Sequence, residues 1–307
     1  MMHPFLKEEL WPILEKTHDG SCERHVTPNS VFTTYYAKLN LLSFQKGKIR
    51  KKVRIIGLPP SISLEGYHLK NNQGMNEMLH WLMGQSGHTL VINSEERLSG
   101  CFSCVPTLPS VIFENKFESF EHYLNELRSH YRYRAIKALK KFESVEQKQN
   151  EPFDRALYDL YDAVYQNSEY PLAKNEMVFF ERFPGTIEQF YIGVKPIGFC
   201  QYHIAEGTLY FMFCGINYEE LKTYDTYLNM LLVIIRRGIE AGVQTIDLGQ
   251  TTETIKQKLG GTLKPLYICH FHKNRVIRSL MKRAMPMLGY APPKTRYHVF
   301  KNEGDRS

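Results

Sequence analysis

The segment TIDLGQTTETIKQKLGG, residues 245 to 261, decides the fold of this chain. It opens with a short apolar strand that ends in an acid and a glycine, Asp247 and Gly249. A polar helix start follows, the helix carries Lys256, and a double glycine ends it. The pattern predicts a strand, a turn and a helix. These are either ordinary turn residues or the border of a site for a charged ligand, because α/β folds place ligand groups at strand ends.

The elements around this segment follow a regular order. Two amphipathic helices are predicted between 153 and 183, and three strands with tight turns between 187 and 217. A long helix over 222–241 comes next. After the segment, residues 263–273 have the apolar content of a strand and residues 274–288 form a basic amphipathic helix. The second half of the chain therefore mixes strands and helices.

The first half has the same mixed character. Apolar runs at 53–58, 88–93 and 110–115 predict strands, and residues 75–87 have helical spacing. A helix with one apolar stripe is predicted over 117–143. Its last part, from Leu127 to Lys141, contains six Lys and Arg residues and no acid. The polar stretch 143–152 is expected to separate the two halves.

The opening segment, the strand pair GFCQYHIAEGTLYFMFCGIN and the helix RSHYRYRAIKALKK resemble the FemAB-like and BioF2-like group of the GNAT acyltransferase superfamily. Members of that group have a D-x-G strand end and a Lys three residues before an apolar-Gly pair, here Asp247, Gly249, Lys256 and Leu259-Gly260. The resemblance implies an α/β (α+β) fold, a GNAT-like mixed sheet flanked by helices in two GNAT-like halves. The implied domains are an N-terminal helix and loop (1–30), a degenerate GNAT-like half ending in the basic helix (31–143) and a GNAT-like acyltransferase domain (153–302).

The resemblance also implies the activity of an N-acyltransferase. The donor would be a thioester, either acyl-CoA or an acylated carrier protein. The acceptor would be a small-molecule or peptide amine, which attacks the acyl group directly. No Cys or Ser stands in a recognisable nucleophile motif, which is consistent with direct transfer. One departure concerns the donor. GNAT enzymes carry an R/Q-x-x-G-x-G/A loop for the pyrophosphate of coenzyme A, whereas this place has a single glycine, Gly215. Two alternatives stay open: an aminoacyl-tRNA-dependent FemAB-like peptide ligase, and a non-catalytic binding protein of the same fold.

The candidate site residues follow from this fold and these roles. An acyl transfer needs a base for the amine, an acid for the leaving group and a hydrogen-bond donor for the carbonyl oxygen. The catalytic candidates are Asp247, Tyr224 and Tyr227. The candidates for donor and phosphate binding are Gly215, Asp225, Thr226, Lys256, Arg132 and Arg134. The candidates for the substrate pocket are Tyr202, His203 and Tyr210.

Each candidate also has a purely structural interpretation. Asp247 and Asp225 have the residue type of helix caps, as does Thr226. The tyrosines and His203 can be core or pocket walls, and the basic residues of 128–141 can form a solvated face. A phosphate-binding role for that helix, toward a nucleotide, a coenzyme or tRNA, is favoured because no acid neutralises it.

Composition limits the remaining function classes. The net charge of +7 over 307 residues is compatible with a phosphate-bearing ligand, RNA or an anionic membrane without requiring any of them. Cys101 and Cys104 form one C-x-x-C and His270 and His272 one H-x-H, but neither has a visible partner set, so no metal is expected. Cys200, Cys214 and Cys269 are interpreted as core residues. The sequence has no signal peptide and no membrane span, so a reduced, cytoplasmic protein is expected.

Overall fold

A computed structural model describes residues 2–17, 22–40, 50–60, 62–170, 174–292 and 295–301. Runs of strands are interspersed with helices along it, which confirms the mixed α/β class. The strands are Glu23–Val26 (β1), Ser30–Asn40 (β2), Arg50–Ile56 (β3), Tyr67–Leu69 (β4), Thr89–Ser94 (β5), Ser103–Pro106 (β6), Ser110–Glu114 (β7), Glu146–Gln149 (β8), Thr186–Ile192 (β9), Lys195–Ala205 (β10), Thr208–Ile216 (β11), Thr245–Asp247 (β12), Thr262–Lys264 (β13) and Tyr267–Phe271 (β14). The α-helices are Trp11–Leu14 (α1), Asn72–Met83 (α2), Phe120–Glu126 (α3), Ser129–Lys141 (α4), Arg155–Gln166 (α5), Met177–Arg182 (α6), Thr226–Glu240 (α7), Glu253–Gln257 (α8) and Arg275–Ala284 (α9).

The described strands form two mixed sheets, which agrees with the expected two halves. The first sheet has the order β1-β2-β3-β5-β14-β6, with β4 paired to β2, and the second has the order β13-β7-β12-β11-β10-β9-β8. Each sheet contains one parallel pair, β3 with β5 and β11 with β12, and its other pairs are antiparallel.

The chain divides into two compact units, each assembled from separate segments. The first unit comprises Met1–Pro109, Tyr170–Phe183 and Pro265–Pro293, and the second Ser110–Glu169, Pro184–Lys264 and Lys294–Ser307. These limits cut the chain at other places than the predicted domains 31–143 and 153–302, which stay a prediction.

The core of the second unit forms where α7 lies on its sheet. Leu231, Ile234 and Ile235 of this helix are fully buried, because apolar residues recur along it at helical spacing. Gly238 lets the helix approach β12, since a side chain there would meet Ile246 at 2.3 Å. On the other sheet face α5 approaches β11 in the same way at Gly215. Both sheet faces are therefore covered, and the predicted order of elements from 153 to 257 is confirmed.

Three local predictions were wrong. The polar stretch 143–152 contains an edge strand, β8, which pairs with β9 and needs few apolar residues because an edge strand is solvated. Residues 263–273 are not one strand, since β13 lies in the second sheet and β14 in the first. The basic helix over 117–143 is two helices, α3 and α4, separated at Leu127, which has an extended backbone with a ψ of 138°.

A disulfide joins Cys104 of β6 to Cys269 of β14, two residues that face each other across an antiparallel pair. Cys269 is buried, as expected, but it is not a free thiol. Cys101, Cys200 and Cys214 are free. The C-x-x-C spacing therefore does not describe a pair in this fold, since only its second cysteine is bonded.

Two further classes of feature are absent from the described ranges. None of their helices combines the length and the apolar character needed to cross a bilayer. No group of three or more His, Cys, Asp or Glu side chains comes together there as a metal site.

Candidate functional site

The candidate site lies where two parallel strands of the second unit stop pairing. β11 and β12 are in register over Thr208–Tyr210 and Thr245–Asp247, and then β12 ends while β11 continues to Ile216. Beyond Tyr210, β11 pairs only with β10 among the described strands. A bulge at Met212 adds one residue to β11 at the same level, because Tyr202 pairs with Phe211 and Gln201 with Phe213. One edge of β11 is thus left without a strand partner.

Asp247 stands at the end of β12 and is 5% exposed. Its carboxylate accepts hydrogen bonds from the Ser110 hydroxyl at 2.5 Å and from the Gly249 N–H at 2.8 Å. Gly249 closes the turn with a φ of 73°, a conformation that glycine adopts without strain. The acid therefore holds the turn after β12 and the neighbouring strand β7 in place, whatever its further role.

Lys256 points inward from α8 and is 2% exposed, which excludes the solvated face expected of an ordinary helix lysine. Its ammonium donates to the carbonyls of Gly249 and Gln250, at 3.2 and 2.7 Å. Burial lowers the pKa of Lys256 to about 8, against the opposing influence of the nearby Asp247 carboxylate. The group is still predominantly charged at neutral pH.

The loop that carries these carbonyls has a strained backbone. Thr251 and Thr252 have φ values of 63° and 49°, in the left-handed region that β-branched residues rarely adopt. The Thr252 hydroxyl lies 2.7 Å from the Tyr227 hydroxyl of α7, and burial raises the pKa of this tyrosine. Such strain persists only where the surrounding structure enforces it and is concentrated at functional sites. Asp247, Lys256 and Tyr227 thereby contact one loop, the loop between β12 and α8.

Three of the predicted residues form a row across the sheet. Tyr210 is the register partner of Asp247 on one side and of His203 on the other, so the three side chains share one face. His203 is half-buried and hydrogen-bonded to the carbonyl of Pro184 at 3.0 Å, and burial lowers its pKa. Tyr202 points to the opposite face, where its hydroxyl meets Glu188 at 3.5 Å. The predicted substrate pocket is therefore split between two faces.

Asp225 and Thr226 stand at the start of α7, and the Asp225 side chain makes no capping hydrogen bond to the helix. Asp225 precedes the helix with a φ of 47° and forms an ion pair with Lys141 of α4 at 2.9 Å. Thr226 is fully buried, and its hydroxyl bonds the carbonyl of Glu220 at 3.5 Å. The carbonyl of Tyr224 accepts from the Asn229 amide at 2.9 Å. These contacts join the helix start to α4 and to the turn before the helix.

The remaining predicted residues lie on β11 and α4. Gly215 is packed tightly, because a side chain there would meet the Phe199 ring at 2.3 Å. Arg134 is exposed and Arg132 half-buried on α4.

Two residues were missed by sequence reasoning. Ser110 contacts Asp247 from a distant strand, and nothing in its surroundings marks it. Gln201 is fully buried on β10, on the same face as His203, and both atoms of its amide lack a hydrogen-bond partner among the described residues. A glutamine in an apolar strand was the available signal for Gln201, since buried amides normally find partners.

The sequence matches no protein-family model and no curated protein. Several solved structures are nevertheless similar over most of the chain. L-PGS from Bacillus licheniformis is 11% identical, with a TM-score of 0.54, over 92% of this chain and 98% of that structure. The C-terminal domain of a candidate lysylphosphatidylglycerol synthetase from Agrobacterium fabrum is 11% identical, with a TM-score of 0.53, over 91% and 95%.

FemX is 10% identical, with a TM-score of 0.51, over 92% of this chain and 99% of that structure. At such low identity the likeness concerns the fold, and here it extends over both sheets. The fold that the resemblance at Asp247, Gly249 and Lys256 implied is thus confirmed. The chain has a GNAT-like, FemX-like fold with two mixed sheets.

Proposed function

We propose that the chain is an acyltransferase that moves an acyl group onto an amine by direct attack, without a covalent acyl-enzyme. The observation that carries the proposal is the place where β12 stops pairing with β11, after Tyr210, with a buried ammonium, Lys256, at the loop that follows β12. An extended donor can lie along this edge of β11, which has no neighbouring strand there among the described residues, and a positive charge is available where the carbonyl oxygen becomes negative.

Lys256 supplies that charge. An ammonium has three N–H donors, and within the described part of the chain two are used by Gly249 and Gln250. The third is left for an acceptor, the acyl carbonyl oxygen. Because the two carbonyls fix the ammonium before the donor binds, little reorganisation accompanies the reaction.

The amine acceptor is assigned to the face that carries His203, Tyr210 and Asp247. Asp247 is placed to hold the amine and to receive its proton, and the Tyr227 hydroxyl on the other side of the loop is the candidate acid for the leaving group. The unpartnered amide of Gln201 lies on the acceptor face and offers both a donor and an acceptor.

An acyl thioester is the first candidate donor. The second is aminoacyl-tRNA, favoured by a specific observation: the start of α7 carries Asp225, paired with Lys141 at 2.9 Å, in place of a glycine-rich loop for the pyrophosphate of coenzyme A. On α4, Arg132, Arg134 and Lys137 form no ion pair within the described residues and suit the phosphates of an RNA. Lysylphosphatidylglycerol synthetase and FemX share the fold.

Native mass spectrometry against acyl-CoAs, acyl carrier protein and charged tRNA tests the proposal. We expect the wild type to bind one donor class, and Lys256→Met to lose this binding. The matched control Lys258→Met, directly after the same helix, should retain it. A salt-dependent affinity for charged tRNA selects the second donor. If no member of the panel binds, or if Lys256→Met binds as the wild type does, the proposal is wrong.

A further inference from the structure

The helix α9 and the turn after it leave three apolar side chains largely exposed. Val276 is 68% exposed, Leu280 59% and Met287 72%. No residue of α9 is buried, although the helix has a strongly one-sided distribution of apolar residues. Val276 and Leu280 are four residues apart and therefore lie on one face. This outward face consists of Val276, Leu280 and Met287, and is called the apolar face of α9.

Positive charge is carried by the same helix and the residues next to it. Lys273, Arg275, Lys282 and Arg283 are exposed and form no ion pair within the described residues. The sequence from 254 to 302 contains eleven Lys and Arg residues and no acid. The cations of α9 are thus not neutralised by their neighbours in sequence, and they accompany the apolar side chains along the whole helix.

The helix is held to the first unit by its other side. The Asn274 side chain caps its start, and Arg278 donates to the carbonyls of His272 and Lys273 while its guanidinium lies over the Phe271 ring. Met285 is 3% exposed and anchors the end. None of these contacts uses the apolar face, so the face is presented by a helix that is already fixed.

We propose that α9 docks the protein on an anionic lipid surface, lying parallel to the membrane plane. The apolar face enters the boundary between headgroups and acyl chains, and the four cations meet the lipid phosphates. RNA would use the cations but gives no reason for exposed Val276, Leu280 and Met287, since its backbone offers no apolar surface to bury them. Exposed apolar residues beside cations on a single helix fit a membrane surface better.

Co-sedimentation with vesicles tests this on the full chain without any donor, so it is independent of the proposed acyl transfer. Binding is expected to vesicles that contain phosphatidylglycerol, and much weaker binding to pure phosphatidylcholine. Leu280→Ser with Val276→Ser should lower the affinity by at least about tenfold. Each of Arg275→Gln and Lys282→Gln should lower it by roughly fivefold.

Val194→Ser is the matched control for the apolar change, because Val194 is 97% exposed in the second unit, and it should bind as the wild type does. Equal binding to both vesicle types, or no effect of the Leu280 and Val276 substitutions, overturns the proposal. The proposal is also overturned if the protein binds a single-stranded RNA probe through Arg275 and Lys282 and does not bind vesicles. Circular dichroism of each variant confirms that the fold is retained.

Discussion

A buried ammonium makes the stability of the folded chain depend on pH. In the unfolded chain Lys256 titrates near 10.5, and in the folded chain its pKa is lowered to about 8. Between these values the unfolded state binds more protons, so the free energy of unfolding rises with pH in this window. The full difference is about 3 kcal/mol. Burial of this charge therefore costs stability at neutral pH and is relieved in alkaline solution.

Lys256→Met removes the free-energy cost of burying the ammonium. We expect the variant to be more stable than the wild type near neutral pH, or at least equally stable, and to lose its advantage as the pH rises from about 8 to 10.5. Urea unfolding at a series of pH values measures the difference. Lys258→Met should follow the wild-type profile, and parallel profiles for Lys256→Met and wild type would contradict the assigned pKa.

Gln201 gives a second prediction at this scale. A buried amide without a partner costs about 1–3 kcal/mol, so Gln201→Leu should raise the free energy of unfolding by that amount. In a transfer assay the same variant should have a higher KM for the amine with little change in kcat. A stability loss in Gln201→Leu would mean that the amide has a partner after all, such as an ordered water.

Sequence and structure agree on some of these residues for identifiable reasons. Asp247 and Lys256 could be predicted because turn residues and a helix lysine occur at fixed spacing in one segment. Ser110 contacts Asp247 across 137 residues, and Gln201 is fully buried on β10. Such contacts depend on the packing of distant elements, which residue spacing does not record.

At the scale of elements, the loop from β12 to α8 stores conformational strain. Thr251 has a left-handed backbone, so Thr251→Gly should raise the free energy of unfolding by about 1 kcal/mol. Transfer activity should fall, because the carbonyls of Gly249 and Gln250 are no longer held as firmly against Lys256. Thermal unfolding and a transfer assay on the same preparation measure both effects.

Gly242→Ala provides the opposite change as a control. Gly242 has a φ of 64° and no atoms around its missing side chain, so only the backbone conformation is altered. We expect a loss of about 1 kcal/mol and full activity. A stabilised and fully active Thr251→Gly variant would show that the strain has no role in the site.

Periodicity predicted the central elements well and the peripheral ones poorly. β9, β10, β11 and α7 were predicted because they are long and strongly apolar. β8 has the sequence EQKQ, which resembles a loop, and only its pairing with β9 makes it a strand. The separation of β13 from β14 depends on the two sheets that receive them, and Pro265 between them was the only local signal.

At the scale of the whole molecule, the disulfide joins positions that are 165 residues apart. Removing such a crosslink should lower the stability of the first unit by about 2–5 kcal/mol. We therefore expect a lower Tm in the presence of a reductant and in Cys104→Ser. The free cysteine of the same segment, Cys101, is the control, and Cys101→Ser should melt as the wild type does. An unchanged Tm under reduction, with alkylation of both cysteines verified by mass spectrometry, would contradict the prediction.

The division into two sheets was anticipated, but the return of the chain to the first unit was not. Residues 170–183 and 265–293 belong to that unit although 184–264 do not. Composition changes little where the chain passes from one unit to the other. Each segment is amphipathic, and its apolar side can be covered by the sheet or core of either unit. The local sequence therefore predicts whether a segment is a helix or a strand, whereas long-range packing determines which unit it joins.

The position of β14 in its sheet affects how the protein folds during translation. This strand lies between β5 and β6, yet it is translated more than 150 residues after them. Until then β5 and β6 each lack a neighbour, and their exposed backbone is a template for pairing with other chains. The nascent first unit must wait until β14 has been translated, so chaperones that shield unpaired strands are expected to govern its yield.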